Sequence, residues 1–189
     1  MLLRKLSIYC MEEKSGVLVE KNIRDDETFY RVLFSPLHIS LKDGKEPKVK
    51  REALLPKPDG REVSMFRSRY MGLEECQTIG AEIQMNGQTF RAIGSLSHPE
   101  IARNNHTFEN EHISAMVIYS PMHGKDYVDR NINVYTNDPD VDKPAHVDLT
   151  YSIPFSADSD VKTKMRKYAS SLAKTMTVQY VKYPVQEGC

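Results

Sequence analysis

The chain has 189 residues, and its 26 Lys plus Arg balance 26 Asp plus Glu, so the formal net charge is zero. A hydrophobic content of 40% with 28% charged residues excludes a disordered chain and suits one globular domain with its own core, while the zero balance removes long-range attraction to nucleic acid or to an anionic membrane and leaves only local patches. Three scattered cysteines (Cys10, Cys76, Cys189) exclude a disulfide framework and point to a reducing compartment.

The opening MLLRKLSIYC lacks the apolar core and small-residue cleavage site of a secretory signal, and no apolar run approaches the ~20 residues of a membrane helix. The expectation is a cytoplasmic protein without membrane partners. Thr28 to Phe34 is aromatic and β-branched and reads as a strand that stops at Ser35-Pro36. Leu37 to Leu41 alternates, with His38 and Ser40 on one side, and Asp43-Gly44 marks a turn. Val63 to Met71 alternates again. Leu73 to Gln84 has apolar residues at helical spacing, weakened by Gly80. Gln88 to Ser95 reads as a strand after the Asn86-Gly87 turn. Glu100 to Glu111, rich in Asn and His, reads as an exposed loop. The apolar run at the end of Ile113–Tyr119 reads as a central strand buried on both faces. Asn131–Tyr135 and His146–Tyr151 alternate.

The clearest helix comes late. Val161, Met165, Tyr168, Ala169, Leu172, Ala173 and Met176 form one apolar stripe. Ser159 or Asp160 is placed to cap it, and Lys162, Lys164, Arg166 and Lys167 occupy its solvent side. A strand from Thr177 to Tyr183 follows. The sum is one α+β domain over residues 1–189: a largely antiparallel, curved sheet, an amphipathic helix near the C-terminus and a shorter mid-chain helix. Lys42 to Arg69 holds nine basic and five acidic residues, and Lys125 to Asp160 holds eight aspartates; both read as solvated faces.

No Gly-rich phosphate loop, nucleophile elbow, His-Glu-x-x-His or Cys-x-x-Cys is present. Asp138 to Asp142 opens like a calcium loop, but Lys143 stands where that loop turns on glycine, so the motif is rejected. His98, His106, His112 and His123 fit no zinc spacing; neither a metal nor a cofactor is expected. Two other stretches share a pattern. His38-Ile39-Ser40-Leu41 and His112-Ile113-Ser114-Ala115 each read His, apolar, Ser, apolar. On a strand this sets an imidazole and a hydroxyl about 7 Å apart on one face. Two such strands across a cleft would supply an acid, a base and two phosphate clamps without a metal.

These paired tetrapeptides resemble the signature of the 2H phosphoesterase superfamily. The resemblance implies His38 and His112 as acid and base, with Ser40 and Ser114 holding phosphate. It implies a nucleotide or an RNA end as substrate. The helix that usually follows the first motif and the duplicated β-α-β rhythm are not visible here. The competing reading is two strand histidines bonded to nearby backbone.

A second likeness spans more of the chain. Arg31 through Pro36-Leu37-His38, then Ser64-Met65-Phe66-Arg67, then Pro144-Ala145-His146 resembles a group of small bacterial proteins. They carry an Arg-x4-Pro-x-His start and a late Pro-x-His, and no activity comes with the likeness. It singles out Arg31, His38, Ser64, Arg67 and His146, and an accessory protein of a larger bacterial system. His146 and Asp148 share a strand face and form an alternative site. Arg31, Arg67 and Arg69 are candidate substrate-binding cations, with Phe66 and Tyr70 beside them for base stacking; a structural salt bridge for Arg67 or Arg69 is the rival reading. The alternatives are therefore a phosphoesterase or nucleotide-processing enzyme, and a non-enzymatic binding or adaptor domain with a protein partner.

Overall fold

A computed structural model describes residues 9–11, 18–20, 22–40, 47–83, 86–120, 145–156 and 158–181. β1 (Tyr9–Met11) and β2 (Leu18–Glu20) form an antiparallel ribbon of their own. β3 (Thr28–Ser35) is followed by a short antiparallel pair, β4 (Ile39–Ser40) and β5 (Lys48–Val49), a 3-10 turn at Arg51–Leu54 and β6 (Glu62–Arg67). Then come α1 (Leu73–Glu82), β7 (Thr89–Ser97), α2 (His98–Thr107), a 3-10 turn at Glu109–Glu111, and β8 (Ala115–Tyr119). β9 (His146–Tyr151), α3 (Ser159–Thr175) and β10 (Thr177–Tyr180) complete the order. Six strands form one open antiparallel sheet in the order β10-β7-β3-β6-β9-β8. The class is α+β. No helix among the described residues is long and apolar enough to cross a membrane.

Because side chains alternate along a strand, each central strand feeds two cores. On one face Phe29, Leu33, Met65, Leu96, Val147 and Leu149 pack with Met165, Tyr168 and Leu172 of α3 and Ile101 of α2. On the other, Val32, Phe34, Phe66, Phe90 and Ile93 pack with Cys76 and Ile79 of α1. Gly80 permits that second contact: a Cβ there would stand 2.5 Å from the Phe90 ring. The glycine that weakens the helical pattern is thus the residue that lets α1 lie against β7.

One interaction sits at the crossing of these parts. Arg67, at the end of β6, is fully buried and pairs with buried Glu27, just ahead of β3. Its Nε donates to Glu27 Oε1 at 2.5 Å and its Nη2 to Oε2 at 2.9 Å, a fork on a carboxylate. Nη2 also reaches the Asn22 carbonyl at 3.2 Å, and the guanidinium lies 4.8 Å from the Tyr70 ring centroid. The Arg67 backbone N–H bonds the Ala145 carbonyl and its own carbonyl accepts from Tyr70 and Met71. The segment before β3, the turn after β6 and the entry to β9 are all tied to this one residue.

Several expectations are corrected. Residues 98–107 form α2, not a loop. Ser97-His98-Pro99-Glu100 is a full capping box with proline in the first turn, a start signal that the Asn/His content obscured. Those asparagines are docking groups: Asn105 accepts from the Ala115 N–H (2.9 Å) and donates to the Ala115 carbonyl (2.8 Å), and Asn104 donates to the Tyr168 carbonyl. β8 is not a central strand but an edge, with Met116 and Ile118 exposed on alternate positions. The Val63–Met71 strand stops at Arg67 and turns. His38 lies in a turn at residues 36–38 rather than in a strand. The α3 cap is Asp158, whose Oδ1 accepts from the N–H groups of Asp160 and Val161. Asn131–Tyr135, Asp138–Asp142 and His123 lie outside the described residues.

Breaking a buried ion pair strands the surviving charge, at about 3–5 kcal/mol. Glu27→Gln and Arg67→Met are each expected to lower stability by roughly that amount, read from urea denaturation midpoints. The E27L/R67M double variant, which strands no charge, is expected to lose less than either single variant.

Candidate functional site

His38 follows the end of β3 and is 5% exposed. Its Nδ1 accepts the Phe34 N–H at 3.3 Å, its ring stands edge-on to Phe34, and its own backbone N–H and carbonyl bond Phe34 and Lys50. Nδ1 therefore carries a lone pair. Burial, reinforced by the Arg31 charge, pushes the imidazole down to about 4, against weaker opposition from the Val32 carbonyl and Glu52. It is a neutral core side chain at physiological pH. Ser40 is the second residue of β4, opposite Lys48.

His112 stands elsewhere. It is exposed, closes the Glu109–Glu111 turn in the left-handed region (φ 54°) and shares with Ser114, His106 and Ser152 a shallow depression of about 460 Å³. The Ser114 N–H donates to Ser152 Oγ. His38, being buried, is not among the residues that line this depression.

His146 and Asp148 do share a face of β9, opposite Phe66 and Ser64 of β6. The register of β8 on β9 adds Ser120, which spacing along the chain does not reveal. His146 Nδ1 lies 2.6 Å from the Ser120 carbonyl, which only accepts, so the proton sits on Nδ1. The Ser120 hydroxyl donates to Asp148 Oδ2 at 2.6 Å. Serine thus bonds the carboxylate directly, and the imidazole does not stand between them as a proton relay requires.

The predicted substrate arginines are divided. Arg67 is sealed in the Glu27 pair and reaches no surface, the structural salt bridge that was its rival reading. Arg31 is half-buried: its Nη1 donates to the Ser64 carbonyl at 2.7 Å and its Nε to Ala53 at 3.2 Å. The β3–β6 pairing spans Phe29 and Tyr30, and Arg31 takes up a β6 carbonyl where the two strands part. Arg69 is exposed, 5.9 Å from the Tyr70 ring centroid. Among the described residues no group of three or more His, Cys, Asp or Glu side chains could hold a metal ion. His98 faces Asp25 at 3.9 Å and His106 faces Glu109 at 3.5 Å.

A different feature has the makings of a ligand site. A shallow trough of about 600 Å³ runs along the outer side of α3. The helix exists because Met165, Tyr168, Ala169, Leu172 and Ala173 bury one stripe, and the 3.6-residue repeat then turns the remaining positions outward. Arg166, Lys167 and Lys174 line the trough, joined by Arg51 from the first 3-10 turn. Thr163, Ser170 and Ser171 add hydroxyls, and Phe108, edge-on to Tyr168 at 5.3 Å, adds an aromatic ring. Among the described residues no carboxylate lines it. Arg51 is engaged by Glu52 at 3.1 Å, and Lys164, just outside, by Asp160 at 2.9 Å. Arg166, Lys167 and Lys174 have no acidic partner among the described residues, and the buried Arg166 Nε finds no acceptor there. The signal for this site, the basic solvent side of the late helix, is plain in the sequence; its reading as solvation hid it.

No protein-family model, no curated protein and no solved structure matches this chain.

The His38 environment has a measurable consequence. Its folded value of about 4 lies below the unfolded value of about 6.5, so between those pH values the unfolded chain binds a proton that the folded one refuses. Stability is expected to be flat in this term above pH 6.5, to fall on acidification through the window by up to about 3 kcal/mol, and to level below pH 4. His38→Asn, which keeps an acceptor for the Phe34 N–H and does not titrate, is expected to lose about one proton's worth of that slope. Denaturation midpoints of both proteins from pH 4 to 7 check it; identical slopes would refute it.

Proposed function

We propose that this chain is a non-enzymatic binding domain whose ligand is an anion carrying phosphate groups, seated in the trough along α3. The carrying observation is the trio Arg166, Lys167 and Lys174 around one depression that no carboxylate lines among the described residues. Cations gathered without counter-charges repel one another, a cost that a bound polyanion reverses. Hydroxyls between the cations suit phosphate oxygens. A catalytic role in phosphoester cleavage finds less support, because His38 is a buried acceptor for the Phe34 N–H while His112 lines an exposed depression that His38 does not.

Titration calorimetry with inorganic tripolyphosphate tests the proposal. Binding is expected to weaken as salt rises and to fall at least ~10-fold in the R166Q/K167Q variant, the loss of two charge-assisted contacts of about 1 kcal/mol or more each. Far-UV circular dichroism of that variant should be unchanged. Equal affinity in the two proteins, or no binding at low salt, would overturn it.

A further inference from the structure

We infer that the phosphate-bearing ligand of this trough is a single-stranded nucleic acid, with its backbone along α3 and a base against Phe108. The inference rests on the anion-binding reading and goes beyond it. The polar groups recur once per helical turn: Thr163, then Arg166 and Lys167, then Ser170 and Ser171, then Lys174. At 1.5 Å per residue they span about 16 Å, with successive turns about 5.4 Å apart. One phosphate would engage one such turn and leave the others unused. A chain of phosphates uses each in succession, and cations interleaved with hydroxyls are the groups that hold such a backbone without reading sequence.

Phe108 supplies what a bare polyanion would not need. It ends α2, and its packing against Tyr168 fixes the ring plane beside the cations (64° between rings). An aromatic ring next to a basic track is the pairing that single strands use, because each base offers a π-face. A membrane headgroup layer fits less well. Met116 and Ile118, large apolar side chains exposed to solvent, lie on the sheet face opposite α3 and would not enter the same bilayer.

Fluorescence anisotropy of the full chain with labelled ten-nucleotide oligouridylate and oligothymidylate tests the inference. ATP, a ten-base-pair duplex and vesicles containing phosphatidylserine are the competing arms. At least one single strand is expected to bind tenfold or more tighter than ATP and tighter than the duplex or the vesicles. Its log K against log salt should slope near −2, about −0.7 for each of three phosphates. Lys167→Gln should make the slope shallower by about 0.7. Phe108→Leu, which keeps apolar packing on Tyr168, should weaken binding about 5- to 100-fold without changing the slope, and Phe108→Tyr should restore it. Single strands binding no tighter than ATP would overturn the inference while leaving tripolyphosphate binding, and so the anion-binding reading, intact. Preference for duplex or vesicles, or an F108L variant that is folded and binds fully, would overturn it as well.

Discussion

The fold turns on a charge placed where water cannot reach it. Arg67 and Glu27 are both buried, and a lone guanidinium or carboxylate in that position would cost about 3–5 kcal/mol, which the partner offsets. Their fork fixes more than a pair. It holds the chain before β3 against the end of β6, and the same arginine's backbone anchors the entry to β9 and the turn toward α1. Apolar packing on the two sheet faces is non-directional and tolerates sliding; this pair specifies one register. Arg31 extends the principle, spanning the split between β3 and β6 with bonds to two main-chain carbonyls.

That arrangement explains which parts of the fold are legible. α3 is readable because its stripe, cap and breaks agree, and the structure bounds it within a residue or two of the pattern. α1 is readable despite Gly80. α2 is not, since its Asn side chains serve tertiary bonds to Ala115 and Tyr168 and contribute no apolar period; only the capping box announces it. β8 misleads for the opposite reason. Its run AMVIY is apolar throughout, which along a single strand does not distinguish a buried strand from an edge with two exposed apolar side chains.

The chemistry was harder to read than the fold. Histidines draw attention because their titration lies near neutrality, yet three of them are used in three unrelated ways: His38 as a buried acceptor, His112 as the end of a turn, His146 as a donor to a carbonyl. A local His-x-Ser pattern carries no information about the strand order that decides whether two copies meet. The His146–Asp148 face was visible from alternation alone, but Ser120 enters through cross-strand register, which no spacing along the chain encodes. The basic side of α3 was visible as well. What the pattern lacked was a count of partners: Lys164 is neutralised by Asp160, while Arg166, Lys167 and Lys174 meet no carboxylate among the described residues.

A zero net charge sharpens the meaning of that local imbalance. The whole molecule exerts no long-range pull on an anion, so electrostatic steering contributes little and any affinity must come from short-range contact. At physiological ionic strength a charge is felt over about 8 Å, half the ~16 Å that the α3 polar groups cover. Lys174 stands about 12 Å along the helix from Arg166, beyond that screening length, so one small anion does not engage both at close range. A ligand with charge repeated along its length does, which is why the length of the basic track, more than the number of cations in it, selects a chain of phosphates as the occupant.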